Sequence, residues 1–275
     1  MVLKEEPVLK FIKEKGYYFM SSISNTKGWH QQMCESAVST TVSAASIAGA
    51  LAPAMHPLRK KSFEQTGTGK PASVLESLAV WRRAAPVLSG TLCSQVVAES
   101  AIKKRIAPDF DTMSPEKKVA VSAVSAVAVG ALTSPLLAVF NGLTMGKAPA
   151  IPTSKELRWT TVREGLFVAG LTGSGPVGEW AKKRWGGEDE RVNTAVEYGV
   201  TALAAGTASV LSHPFDTILS ANQAGVPIRH RMAGWRPRAI GVVGLAVGYK
   251  ALNGVLQPWG SRAVNQLYPV QETAK

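Results

Sequence analysis

The chain has 275 residues and carries 31 Lys+Arg against 19 Asp+Glu, a formal charge of +12, yet only 18% of its residues are charged and its mean hydropathy is +0.05. That combination is too apolar for a basic disordered tail or an ordinary basic soluble domain, in which about a quarter of residues are charged. Two cysteines, Cys34 and Cys93, exclude a disulfide scaffold and have no metal-ligand spacing.

In chain order, the segment up to Trp29 mixes Glu5 and Glu6 with lysines, which fits neither an acid-poor transit peptide nor a secretory signal, so targeting information is expected to be internal. Between Glu35 and Arg59, 23 residues carry no fixed charge, and from Val119 to Gly146 there are 28 more. A helix rises about 1.5 Å per residue, so roughly 20 apolar residues cross a hydrocarbon core of about 30 Å. A third stretch, Tyr198 to Phe215, has 18 uncharged residues. All three are rich in Ala, Gly, Ser and Thr, which let helices approach closely inside a membrane. Three shorter apolar segments, Ala84 to Ala98, Gly165 to Gly178 and Ala239 to Tyr249, read either as spans with snorkelling flanks or as ordinary soluble helices.

The long segments share punctuation. Each contains a small residue or His followed by Pro, at His56-Pro57, Ser134-Pro135 and His213-Pro214, with spacings of 78 and 79 residues. A Trp beside or near an Arg follows each proline after 24, 24 and 21 residues, at Trp81, Trp159 and Trp235. Self-similarity at a fixed period is the signature of a repeat architecture. The units divide into an N-terminal segment 1–32, repeats 33–110, 111–188 and 189–262, and a tail 263–275. Each repeat reads as a long helix kinked at Pro, a basic loop, a Trp/Arg marker and a second helix.

These residues resemble the mitochondrial carrier family, whose three tandem repeats each hold a kinked helix ending in Pro-x-[Asp/Glu]-x-x-[Lys/Arg], with a Gln further on. Pro214, Asp216 and Gln223 match, while Leu219 stands where the base belongs. The resemblance covers roughly residues 33 to 258 and implies an all-α membrane protein with six transmembrane helices in three tandem repeats and pseudo-threefold symmetry. It also implies a multi-pass protein of the mitochondrial inner membrane with the basic loops on the matrix side. In the family, salt bridges between repeats close the matrix side. Here Arg59 and Ser62, and Leu137 and Phe140, replace the charged pairs of the first two repeats, so at most one ionic rung is expected, Asp216 with Lys60 or Lys61. For the opposite gate, Glu179 and Lys182 match the family spacing on one even helix; Glu99 with Lys103 is off by one.

For a solute near the bilayer midplane, the candidate contacts are Arg163, Glu164 and Arg238, with Gln95 and Thr91 as neutral polar groups. Arg163 offers a planar fork of donors to an anion, or else pairs with Glu164 or snorkels to lipid. Gly90 and Gly241 occupy positions where the family usually places contact residues. His56 and His213 have no third ligand in register, and no phosphate loop or Ser/His/Asp constellation is present, so neither a metal, another cofactor nor an enzymatic activity is expected.

Three functions compete: a carrier-type solute transporter working by alternating access, a transport-inactive carrier fold serving as a subunit or adaptor of a larger membrane complex, and a soluble nucleic-acid binder. The last rests on charge alone, and the charge lies in loops beside apolar segments. No nucleic-acid partner is expected. Anionic membrane lipid such as cardiolipin is the expected partner of those loops.

Overall fold

The computed structural model describes residues 29–267 except 69–72, 110–111, 114, 173–180, 183, 188 and 229. The described residues form six long helices and no strand: α1 (Trp29–Thr66), α2 (Val74–Ile106), α3 (Pro115–Thr144), α4 (Ser154–Thr172), α5 (Glu190–Ala224) and α6 (Trp235–Leu267). Each of the three sequence units contains one pair of these helices. The outer bounds differ from the expected ones, because α1 already begins at Trp29 and α6 continues to Leu267.

Local chemistry explains several of the boundaries. Ser73 and Glu76 form a capping box ahead of α2, with each side chain bonded to the other's backbone N–H at 3.1–3.2 Å. Thr153 and Glu156 repeat the arrangement ahead of α4. The Asp189 carboxylate caps α5 by accepting from the Arg191 N–H. At the other end of α5, Gly225 takes the left-handed conformation (φ 71°) and its N–H reaches back to the helix carbonyls. The three loops that follow α1, α3 and α5 are short and contain no helix among the described residues.

Each helix packs against its neighbours in the chain, and α6 returns to α1, so the six close into a ring. The odd-numbered helices α1, α3 and α5 also touch one another. They do so near their C-terminal ends, through Ser62 with Thr144, Asn141 with Ser220, and Lys61 with Asp216. Pro57, Pro135 and Pro214 all lie inside these helices.

Among the described residues, three helices contain stretches long and apolar enough to cross a membrane: Cys34–Thr66 in α1, Val124–Thr144 in α3 and Trp235–Leu267 in α6. The third long segment expected from sequence, Tyr198 to Phe215 in α5, is replaced by α6 in this set. The Tyr198 to Phe215 stretch leans on Ala, Gly, Ser and Thr and includes His213, whereas α6 brings together Ile240, Val242, Val243, Leu245, Leu252 and Val255.

The α1–α6 seam is the most extensive helix pairing, and small residues make it possible. A Cβ on Gly241 would stand 2.9 Å from Leu58 Cγ, and one on Gly248 would stand 3.1 Å from Ala50 Cβ. Gly241 is therefore a packing residue against α1. Gly90 has nothing within 4 Å of its notional Cβ. Beside the seam, Leu51, Met55, Leu58, Leu88 and Leu137 form the apolar core.

Widening the seam should separate α1 from α6. Gly248→Leu is expected to cost roughly 1–3 kcal/mol of overpacking. Gly90→Ala should be neutral or stabilising by up to about 1 kcal/mol through helix propensity. Thermal unfolding of the detergent-solubilised protein distinguishes the two.

Candidate functional site

The end of the ring where α1, α3 and α5 converge is closed by a buried polar cluster centred on Asp216, which is 1% exposed. Its position follows from α5: two residues past Pro214, the side chain projects inward with His213, Thr217 and Ser220, all buried. One carboxylate oxygen, Oδ2, meets Lys61 Nζ of α1 at 3.0 Å and accepts from Gln65 Nε2 at 2.9 Å. The other, Oδ1, accepts from Arg163 Nη1 of α4 at 3.0 Å. Arg238 Nε of α6 stands 3.8 Å from Oδ2.

Further hydrogen bonds hold these groups in place. Arg163 also holds Glu164 through Nε at 2.8 Å and Nη2 at 2.7 Å. Lys61 donates to Asn141 Oδ1 of α3 at 2.9 Å, and Asn141 Nδ2 donates to Gln223 Oε1 at 2.8 Å. Gln223 Nε2 returns to the Ala138 carbonyl at 2.9 Å. Arg238 donates to the Ser209 carbonyl and to Ser212 Oγ, both at 2.9 Å. Charged groups removed from water are tolerated only when paired and hydrogen-bonded in this way.

Glycine at 234 brings the α5–α6 turn onto this cluster. It has φ 77°, and a Cβ there would stand 2.7 Å from the Lys61 carbonyl oxygen. Any other residue would push the turn off α1. In the same turn the Ala233 carbonyl accepts from His213 Nε2 at 2.8 Å, which places the imidazole proton on Nε2.

Of the residues singled out from sequence, Arg163, Glu164, Arg238, Asp216, Lys61 and Gln223 come together here. The expected ionic rung uses Lys61; Lys60 is exposed and lines an outer cleft. Arg163 pairs with Glu164 and, beyond what the sequence suggested, with Asp216 as well. Thr91 and Gln95 are occupied in helix contacts: Thr91 donates to the Val87 carbonyl, and Gln95 donates to Thr133 of α3. Glu179 lies outside the described residues, as do the side chains of Glu99 and Lys103.

Sequence reading missed Gln65, Asn141 and Ser220. Their offsets from the prolines were the available signal. Gln65 follows Pro57 by eight residues as Gln223 follows Pro214 by nine, and Asn141 and Ser220 each follow their proline by six.

The Trp markers link neighbouring helices. Trp81 Nε1 of α2 donates to the Ala48 carbonyl of α1 at 2.7 Å, and the Trp159 ring of α4 stacks on Phe215 of α5 with centroids 6.1 Å apart. Toward the opposite end of α5, Glu197 pairs with Lys182 and, at 2.9 Å, with Lys250 of α6. Asp216 and Glu197 are 19 residues apart on α5, or about 28 Å along a helix.

The two acids should differ sharply on substitution. Asp216→Ala leaves buried Lys61 and Arg238 without an acid and is expected to cost about 3–5 kcal/mol. Lys250→Ala, which breaks a half-buried pair, should cost about 1 kcal/mol or less and be weakened by salt. Unfolding midpoints in detergent at low and high salt test the ranking. Comparison of the chain with protein-family models, curated proteins and solved structures finds no match, so no family is assigned.

Proposed function

We propose that the chain is a carrier-type transmembrane solute transporter of the mitochondrial inner membrane, working by alternating access, with the Asp216 cluster as its closed gate. The observation that carries this reading is the convergence of α1, α3 and α5 at one end of a six-helix ring, sealed by one charge cluster that draws on α1, α4, α5 and α6. A seal built from ion pairs and hydrogen bonds exchanges partners more readily than an apolar plug, so it suits an opening end. The near-regular spacing of Pro57, Pro135 and Pro214, each on an odd helix, supports three repeats of one unit. All six helices then span the bilayer, and the more polar α5 is accommodated by its neighbours in the ring.

In this reading the basic loops face the matrix and anionic lipid. A cleft of about 650 Å³ beside the gate is lined by His56, Lys60, Trp235, Arg236 and Ile240, a set that suits a lipid such as cardiolipin.

A second reading is a transport-inactive carrier fold held as a structural subunit of a larger membrane complex. It is favoured by the engagement of Thr91, Gln95 and Gly241 in helix packing, which takes them out of a solute site.

Reconstitution into liposomes with internal and external solutes decides between them. The transporter reading expects saturable exchange of at least one of nucleotide, carboxylate, amino acid or phosphate, altered by Asp216→Asn. Absence of exchange by folded protein, together with stable co-purification in a larger membrane complex, would select the structural subunit.

A further inference from the structure

Three of the chain's four histidines gather at the turn 230–234 that joins α5 to α6. His213 of α5 is buried and donates through Nε2 to the Ala233 carbonyl at 2.8 Å. One helical turn on, Thr217 Oγ1 donates to the Arg231 carbonyl at 3.0 Å. His230 opens the turn, where its Nδ1 accepts from the Met232 N–H at 3.2 Å. His56 of α1 lines the outer cleft that also takes in Met232, Gly234 and Trp235. Two side chains of α5 thus fasten the turn, and its Gly234 lies against the Lys61 carbonyl of α1.

Proton chemistry separates these histidines. With its proton on Nε2, His213 leaves Nδ1 bare, and that atom is buried with no hydrogen-bond partner. A second proton would have to sit on Nδ1, as a buried donor facing no acceptor. It would also add a positive charge among fixed ones. Asp216 of α5, Lys61 of α1 and Arg238 of α6 act on the ring, with the Arg163–Glu164 pair of α4 beyond Asp216. Three cations already stand there against two acids. His230 is exposed and charges into water, at the loss of one exposed hydrogen bond. His56 Nδ1 is buried and unpartnered too, but His56 shares its cleft with Glu64 as well as Lys60 and Arg236, and the bonds that hold the turn come from α5.

We propose that the α5–α6 turn is an acid-released latch and that His213 is its proton switch. While Nδ1 carries no proton, the turn stays bonded to α5 and seated on α1. Proton uptake fits the ring only after the turn lifts and Nδ1 reaches water, so acid favours the lifted state. The linkage is one proton: the closed turn holds one on the ring, and the lifted turn holds two once the pH falls below the ordinary imidazole value of about 6.5. The closed latch is therefore complete above that pH and is lost as the pH falls through it. It operates equally in a chain that carries solute and in one that serves as a structural subunit.

Hydrogen exchange read by mass spectrometry on the full-length protein in neutral detergent tests this, from about pH 8 down to about pH 5, the span of imidazole titration. Exchange in segment 230–238 is corrected for the intrinsic effect of pH on amide exchange. Native protein should keep that segment closed at the upper end. Below about pH 6.5 its opening should rise by up to about tenfold per pH unit, the slope of one proton. Exchange in 245–252, within the α1–α6 seam, should lag behind. His213→Gln should stay closed through the whole range, because its Nε2 still donates to the Ala233 carbonyl and an amide does not titrate. His213→Ala should leave the segment open at every pH. His56→Gln and His230→Gln should each keep the native pH response.

A flat pH profile in segment 230–238 of the native protein overturns the proposal without any variant, so the test stays decisive if His213→Gln does not fold. A native response that persists in His213→Gln, or that vanishes in His56→Gln or His230→Gln, puts the switch on another group and overturns it as well. Exchange that rises together along all six helices marks acid unfolding of the whole ring and leaves no latch.

Discussion

One buried carboxylate organises one whole end of this protein. Asp216 on α5 meets Lys61 of α1, Arg163 of α4 and Arg238 of α6, and Lys61 passes the connection to Asn141 of α3. Five of the six helices are therefore tied through a single side chain. Removing the Asp216 carboxylate would leave Lys61 and Arg238 buried without an acid, while Arg163 keeps Glu164.

The apolar part of the fold serves this cluster. Small residues along the α1–α6 seam let the ring close, and Gly234 lets the last turn lie against the Lys61 carbonyl. Trp81 and Trp159 fasten even helices to their odd neighbours. The three helices that are long and apolar enough to cross a membrane among the described residues, α1, α3 and α6, flank the other three in the ring. In the C-terminal half of α5 the buried polar residues His213, Asp216, Thr217 and Ser220 meet polar partners.

The cluster also resolves the charge question posed by composition. The formal +12 is not spread evenly over a surface. Three of its positive charges are buried around two acids. Cations such as Lys60 and Arg236 instead line an outer cleft, away from those acids.

Much of this was legible in the sequence alone. Charge-free stretches predicted α1 and α3, the prolines at near-regular spacing fell inside α1, α3 and α5, and Pro214-x-Asp216 with a nearby lysine announced an ionic contact, because each of these signals is carried by the local sequence of one helix. Only the tertiary structure decided the rest. It chose Lys61 over Lys60, since one residue of helix turns a side chain by about 100° and so sends one inward and the other out. It brought in Arg163 and Arg238 from even helices far along the chain, and it recruited Gln65 and Asn141, whose residue types carry no distinctive pattern. It also committed Thr91, Gln95 and Gly241 to packing, a fate set by which neighbour a helix face meets when the ring closes.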